Sequence, residues 1–352
     1  MTRLTLYSLA IELTWACNLR CSHCYNPLHI SKSLDSSTDR LLERIDKIFD
    51  AVQVGHITLT GGEPLSYPRL FEVLAALKRH GVPCQMISNG TLLDAAYAKR
   101  LVEAKLRGIQ ISLHGPDAQT HEDYTRTQGS FERAVAGVQA ANQAGLHVTG
   151  CIVVTRRNAH WVGATLGLWQ KLGVQRVALS RFSPSGLASQ HVARLLPSIA
   201  ELMTAFEQAT PYARGGMRLF CTMPIPPCAM DTKLYAPIRF GSCAVGTTKQ
   251  EFALSPGGAL RFCTLHTQAI GGVEDILDVE DVSSLFHHEQ VVTYREGAPS
   301  FCRGCYYERS CGGGCGAASM SVYGHREQPD PLLWQHVDDA FREGLDRQRE
   351  GG

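Results

Sequence analysis

Between residues 4 and 209, strand-like and helix-like patterns alternate six times. Apolar strand-like runs cover residues 4–14, 56–60, 83–88, 108–113, 146–154 and 175–180. Amphipathic stretches cover 38–52, 68–80, 94–105, 131–144, 160–172 and 198–209. The helical period is explicit in Leu70, Val73, Leu74 and Leu77, spaced three or four residues apart. Gly81, Gly145 and Gly173 each separate such a stretch from the next strand, where a helix end favours glycine. This alternation predicts a parallel α/β sheet, open or partly closed as a barrel. Such folds gather their chemistry on the loops that follow the strand C-termini.

The composition narrows the class further. With 352 residues, 44% hydrophobic and 19% charged, the chain has ordinary globular proportions and length for about two domains. A net charge of +1 supplies no general attraction to nucleic acid or to an anionic membrane. Residues 134–155 carry no Asp, Glu, Lys or Arg, but Asn142, Gln143, Gly145, His147 and Gly150 interrupt them. They read as helix, turn and strand, not as a membrane span. The first ten residues lack the basic, apolar and small-residue succession of a secretory signal, so a cytoplasmic protein is expected. After about residue 210 the alternation ends and segments such as Met223-Pro224-Ile225-Pro226-Pro227 begin. The expected organisation is an α/β domain over 1–210, a cysteine-rich domain over 211–335, and a terminal helix and tail over 336–352. Residues 333–347 read as one amphipathic helix with Val337, Ala340, Phe341 and Leu345 on one face.

Thirteen cysteines are too few for a disulfide scaffold, and their odd number favours metal binding or catalysis. Their positions say more. Cys17, Cys21 and Cys24 form one group; Cys302, Cys305, Cys311 and Cys315 form another; Cys243 and Cys263 lie between. Cys84 and Cys151 sit in apolar strand-like runs and read as small core residues. A four-iron cluster ordinarily takes four thiolates, so a group of three leaves one iron open to a small molecule. Zinc held by Cys17, Cys21, Cys24 and His23 is the competing reading, although His23 adjoins Cys24 and turns inward beside it with difficulty. The C-terminal group also has the look of a zinc ribbon for nucleic acid, but Tyr306-Tyr307-Glu308-Arg309 and Gly312-Gly313-Gly314 supply no strong basic patch. Four motifs follow successive strands: the Cys17–Cys24 segment, Gly61-Gly62-Glu63-Pro64, Asn89-Gly90 and Ser112-Leu113-His114-Gly115. Their common placement on one rim is a stronger signal than any one of them.

The CxxxCxxC segment after the first strand and Gly-Gly-Glu-Pro after the second resemble the radical S-adenosylmethionine (radical SAM) superfamily, over roughly residues 5–185. The resemblance implies a partial (β/α)6 barrel. It also implies a four-iron cluster on Cys17, Cys21 and Cys24 that chelates S-adenosylmethionine and reductively generates a 5′-deoxyadenosyl radical. It assigns the cofactor site to His23 near the adenine and to Gly61, Gly62, Glu63 and Pro64 near the methionine amino group. Asn89, Ser112 at the ribose and Arg126 at the carboxylate complete that site. Relatives often have Ser-Leu-Asp-Gly where this chain has His114, which changes the local charge. No catalytic base or radical acceptor is identified.

The later cysteines resemble the SPASM extension, a small domain of short hairpins and helices that carries auxiliary iron–sulfur clusters. The resemblance implies one or two clusters, with Cys243, Cys263 and Cys315 at the first and Cys302, Cys305 and Cys311 at the second. A final family cysteine is missing after Cys315, and Pro329-Asp330-Pro331 stands in its place. An open iron, or Asp330 or His325 as a ligand, is the alternative at the second cluster; Cys228 or Cys221 is the candidate to complete the first. SPASM enzymes commonly modify peptides or proteins, so a peptide or protein substrate is expected, with a tetrapyrrole side chain as the alternative. A separate leader-peptide-binding protein is a possible partner, because only 16 residues precede Cys17. A flavodoxin or ferredoxin is the expected reductant.

Overall fold

A computed structural model describes residues 4–26, 37–276, 278–297 and 299–336. Six strands and their following helices account for the α/β part. The strands are β1 (Ser8–Glu12), β2 (Ile57–Thr60), β3 (Cys84–Ser88), β4 (Gly108–Ser112), β5 (His147–Val154) and β6 (Arg176–Arg181). The helices are α1 (Thr38–Ala51), α2 (Leu70–Arg79), α3 (Ala95–Glu103), α4 (Ala118–Thr125), α5 (Ser130–Gln143), α6 (Val162–Lys171) and α7 (Ile199–Arg214). Four of these seven helices have their first turn closed by a side chain. Ser37, Asp94 and Asp117 cap α1, α3 and α4, and Ser198 with Glu201 forms a capping box on α7. Each such cap is worth about 1 kcal/mol.

The strand order explains why a cavity forms. Strands β1 to β6 lie side by side in sequence order, every pair parallel. Right-handed crossovers in an order that never reverses put all the helices on one face, and the sheet curls away from them. The curled face becomes the wall of a partial barrel. In β4, Ile109 and Ile111 are buried in the main apolar core, while Gly108, Gln110 and Ser112 are less buried. That two-residue period sorts one strand between core and cavity.

The sheet does not stop with β6. It continues through β7 (Arg218–Cys221) and β8 (Arg239–Phe240) on one side. On the other, β9 (Glu251–Leu254) runs parallel to β1, followed by the antiparallel strands β10 (Ala259–Arg261) and β11 (Gly271–Gly272). Position 210, expected at a domain boundary, lies within α7, and strands from the cysteine-rich part extend both edges of one sheet. Helix α7 also outruns its expected end at 209. It passes through Pro211, and the Thr210 hydroxyl donates to the Phe206 carbonyl at 2.8 Å while Ala205, Phe206, Ala209 and Ala213 stay buried. Packing of that apolar face outweighs the hydrogen bond that proline cannot make.

The last described element is a short 3-10 segment, Pro331–His336, and the rest of the expected terminal helix lies outside the described residues. Among the described residues, no helix is long and apolar enough to cross a membrane.

Candidate active site: a cavity between two sets of thiols

The loop after β1 carries Cys17, Cys21 and Cys24, and the loop after β2 holds it from below. Gly62 N–H donates to the Thr14 carbonyl at 2.7 Å, and Glu63 N–H to the Ala16 carbonyl at 2.9 Å. The backbones approach so closely that a Cβ at Gly62 would lie 1.9 Å from the Ala16 oxygen. Gly61 has φ +121°, and a Cβ there would lie 2.6 Å from the Thr14 oxygen. Both positions therefore require glycine to seat the cysteine loop.

Glu63 is fully engaged. Its carboxylate accepts from the Ser88 hydroxyl at 2.7 Å, from Asn89 N–H at 2.8 Å and from Leu65 N–H at 2.9 Å. Burial pushes its pKa up, and these donors oppose that rise. The residue locks the β2 and β3 loops together. Asn89 continues the chain of contacts, donating to Asn18 Oδ1 at 2.9 Å with its amide 3.9 Å from Cys17 Sγ. Pro64 behaves differently from the rest of its motif. It is buried at the start of a short 3-10 helix, Pro64–Ser66, and is not part of the cavity wall.

The three thiols are half-buried and close enough to feel one another's charge. Burial, with the charge of Glu63 and Cys24, pushes Cys17 up to about 12; burial pushes Cys24 up to about 11 and raises Cys21. Crowded neutral thiols of this kind favour a positively charged group, since coordination to metal deprotonates a thiol outright. His23 lies beside them, its ring 4.3 Å from that of His114, which in turn stacks 5.7 Å from His121. Burial lowers His23 and His121 to about 4, so both rings are neutral near pH 7. His121 Nδ1 accepts from His114 N–H at 3.1 Å, and His114 Nδ1 accepts from Val153 N–H at 3.3 Å. His23 Nδ1 and His121 Nε2 are buried with no hydrogen-bond partner among the described residues. Thiols, glycines and partnerless ring nitrogens facing one cavity fit a cluster with a polar small molecule bound to it.

That cavity has a volume of about 1330 Å³. Cys17, Cys21, Cys24, His23, Gly61, Gly62, Glu63, Asn89 and Ser112 all line it. Arg126 does not. It ends α4 in the left-handed conformation, φ 54°, which directs an exposed side chain toward Asp123, 3.9 Å away. The neighbouring Thr125 lines the wall in its place.

A second stretch of the cavity wall carries Cys243, Cys263 and Cys315 with Tyr294. The Tyr294 hydroxyl lies 3.9 Å from Cys243 Sγ and accepts from Ala317 N–H at 3.1 Å. Burial and the charges of Cys315 and Cys243 push Cys263 up to about 12. Between the two stretches runs the loop after β6. Ser183 Oγ lies 3.9 Å from Cys315 Sγ, Ser185 donates to the Leu265 carbonyl, and Ala188 N–H donates to the Cys24 carbonyl at 2.9 Å. Cys302, Cys305 and Cys311 lie elsewhere and do not line the cavity. Among the described residues, no three Cys, His, Asp or Glu side chains are spaced to hold a single metal ion. A cluster instead offers several irons, each to its own thiolate.

Two expected ligands are committed elsewhere. Asp330 Oδ2 accepts from Arg181 and from Cys315 N–H at 2.7 Å, and Oδ1 accepts from Leu332 N–H at 3.0 Å. Cys221 is buried in the core, its thiol 3.3 Å from the Met223 carbonyl. Cys84 and Cys151 are buried in strands, as expected. The sequence reading missed Tyr294 and His121 as wall residues. His121 was within reach, seven residues after His114; Tyr294 carries no local signal.

Residues 11–167 match the model of the radical SAM superfamily. Those residues form a radical SAM domain. The chain is 27% identical over 344 residues to the AdoMet-dependent heme synthase of Nitratidesulfovibrio vulgaris, covering 92% of this chain and 91% of the relative. It is 26% identical over 340 residues to the PqqA peptide cyclase of Gluconobacter oxydans, covering 92% and 89%. Among solved structures, anSMEcpe with bound AdoMet and the Kp18Cys peptide superposes with a TM-score of 0.72 at 17% identity, covering 99% of both chains. At that identity the likeness concerns the fold. The radical SAM fold of this chain is thus a partial barrel whose two thiol-bearing stretches of wall line one cavity.

Proposed function

We propose that this radical SAM enzyme modifies a peptide or protein side chain held in the cavity that its two sets of thiols line. The observation that carries the reading is that one cavity is lined both by Cys17, Cys21 and Cys24 and by Cys243, Cys263 and Cys315. Cys17, Cys21 and Cys24 would hold the four-iron cluster, and the other sets would hold one or two auxiliary clusters of a SPASM domain. Bound there, the cluster and S-adenosylmethionine would supply reductively triggered radical chemistry for hydrogen abstraction from the substrate.

The chain's own residues bind and orient. Gly61, Gly62 and Asn89 position the cysteine loop and present backbone to the methionine end; Ser112 faces the ribose, and neutral His23 offers its free nitrogen to the adenine. Arg126, which points away from the wall, has no part in this arrangement. The similarity to a peptide cyclase supports a peptide substrate. A flavodoxin or ferredoxin in a reducing cytoplasm would supply electrons, and a separate protein would present the substrate's leader.

Similarity of the same extent to a heme synthase favours a second reading, radical chemistry on a tetrapyrrole side chain. The two separate in one assay. The reduced enzyme with S-adenosylmethionine is given a panel of ribosomally made peptides or a propionate-bearing tetrapyrrole. A changed peptide mass is expected; an unchanged peptide beside a changed tetrapyrrole overturns the peptide reading.

A further inference from the structure

Besides the core residues Cys84 and Cys221, the thiols away from the cavity are not three but four. The turn at Pro226, closed by Ala229 N–H on the Pro226 carbonyl at 2.9 Å, carries Cys228. It packs on the glycine run between Cys311 and Cys315. A Cβ at Gly314 would meet the Pro226 ring at 3.0 Å, and one at Gly313 would meet Cys302 Sγ at 3.4 Å. Gly312, Gly313 and Gly314 all have positive φ, 57°, 80° and 92°, so the run bends tightly through the narrow space between Pro226 and Cys302. The Cys228 turn and the Cys302–Cys311 loop are thereby held against one another.

The electrostatics follow that geometry. After burial, the charges of Cys311, Cys228 and Cys305 raise the Cys302 thiol, and those of Cys311 and Cys305 raise Cys228. Cys263 instead feels Cys315 and Cys243. The thiols therefore sort into two spatial sets, and Cys228 belongs to the outer one. Asp330 is unavailable to that set, because both of its oxygens are taken.

From this juxtaposition we propose that Cys228 is the fourth ligand of the outer iron–sulfur cluster, completing Cys302, Cys305 and Cys311 from the opposite end of the cysteine-rich region. The inference rests on the reading of those three cysteines as cluster ligands. It replaces a ligand after Cys315 with one well before Cys243. The outer site is then closed by four thiolates, the full complement of a four-iron cluster.

Cys228 and Cys305 are exposed, which makes the proposal accessible to alkylation. The full-length, anaerobically loaded protein is treated with iodoacetamide, and labelled cysteines are mapped by mass spectrometry before and after the iron is stripped. Cys228 is expected to be protected together with Cys302, Cys305 and Cys311, and to become labelled with them on stripping. Labelling of Cys228 at the same rate in loaded and stripped protein, while the other three are protected, overturns the proposal.

Iron and sulfide analysis of variants gives an independent readout. Cys228→Ala and Cys302→Ala are expected to lose equal amounts, about four irons, with no further loss in the double variant. Parental iron in Cys228→Ala beside a loss in Cys302→Ala defeats this inference alone. Parental iron in both removes the outer cluster, and with it that part of the proposed function.

Discussion

Arg181 and Asp330 form an ion pair with neither side chain exposed to solvent, joining the end of β6 to the last described segment of the cysteine-rich region. The Arg181 guanidinium also donates to the Pro224 carbonyl at 2.8 Å, and Asp330 receives the N–H of Cys315 at 2.7 Å. One buried pair therefore fixes a barrel strand, the Pro224 loop and a thiol of the inner wall. Removing one partner leaves an uncompensated buried charge, which costs about 3–5 kcal/mol. Asp330→Ala is expected to lose that much stability in denaturant unfolding. The double variant Arg181→Met/Asp330→Leu is expected to recover part of it. If Asp330→Ala unfolds at the parental midpoint, the pair does not hold these elements.

Gly62 gives a test of how the cysteine loop is seated. A methyl group at this position meets the Ala16 carbonyl at 1.9 Å, so the loop carrying Cys17 must move. Gly62→Ala is expected to destabilise the protein by about 3 kcal/mol and to lower the iron held by Cys17, Cys21 and Cys24. The iron on the other thiols is expected to stay at the parental level. The measurement is iron per chain in Gly62→Ala beside Cys17→Ala, together with unfolding. Parental stability and parental iron would contradict the packing described here.

What could be read ahead of the structure divides along sequence distance. The strands and helices of the α/β part, the Cys17–Cys24 spacing and the core cysteines Cys84 and Cys151 are local patterns, and each was legible. The Arg181–Asp330 pair joins residues 149 apart, and no local period announces it. Asp330 consequently read as a free ligand. The Gly314–Pro226 contact beside the Cys228 turn is likewise tertiary and has no local signal. Arg126 was misplaced by a smaller effect: a left-handed residue at the end of α4 turns the side chain away from the wall.

The buried histidines predict a pH dependence of stability. His121 has its pKa lowered to about 4 by burial, against 6.5 in the unfolded chain. Between these values the unfolded chain binds a proton that the folded chain does not. Stability is therefore lost as pH falls from about 6.5 to about 4, and levels off below. The contribution is on the order of 3 kcal/mol. His121→Asn keeps an acceptor for His114 N–H but cannot take up the proton, so its stability should fall less over that window. Cluster loss in acid is common to both proteins, so the difference between their urea-unfolding curves at pH 7 and pH 5 carries the test. Equal acid loss in the two would show that His121 does not titrate in this way.

The central claim is that Cys17, Cys21 and Cys24 hold a cluster that cleaves S-adenosylmethionine, while separate thiols hold the auxiliary iron. The direct measurement is 5′-deoxyadenosine formed by anaerobically purified protein, with iron and sulfide determined on the same sample. Brown protein forming 5′-deoxyadenosine only when reductant is present is expected. Replacing Cys17, Cys21 and Cys24 by alanine should abolish that product and leave the auxiliary absorbance in place. Colourless protein with stoichiometric zinc and no iron, or loss of all iron in the triple variant, would contradict the account.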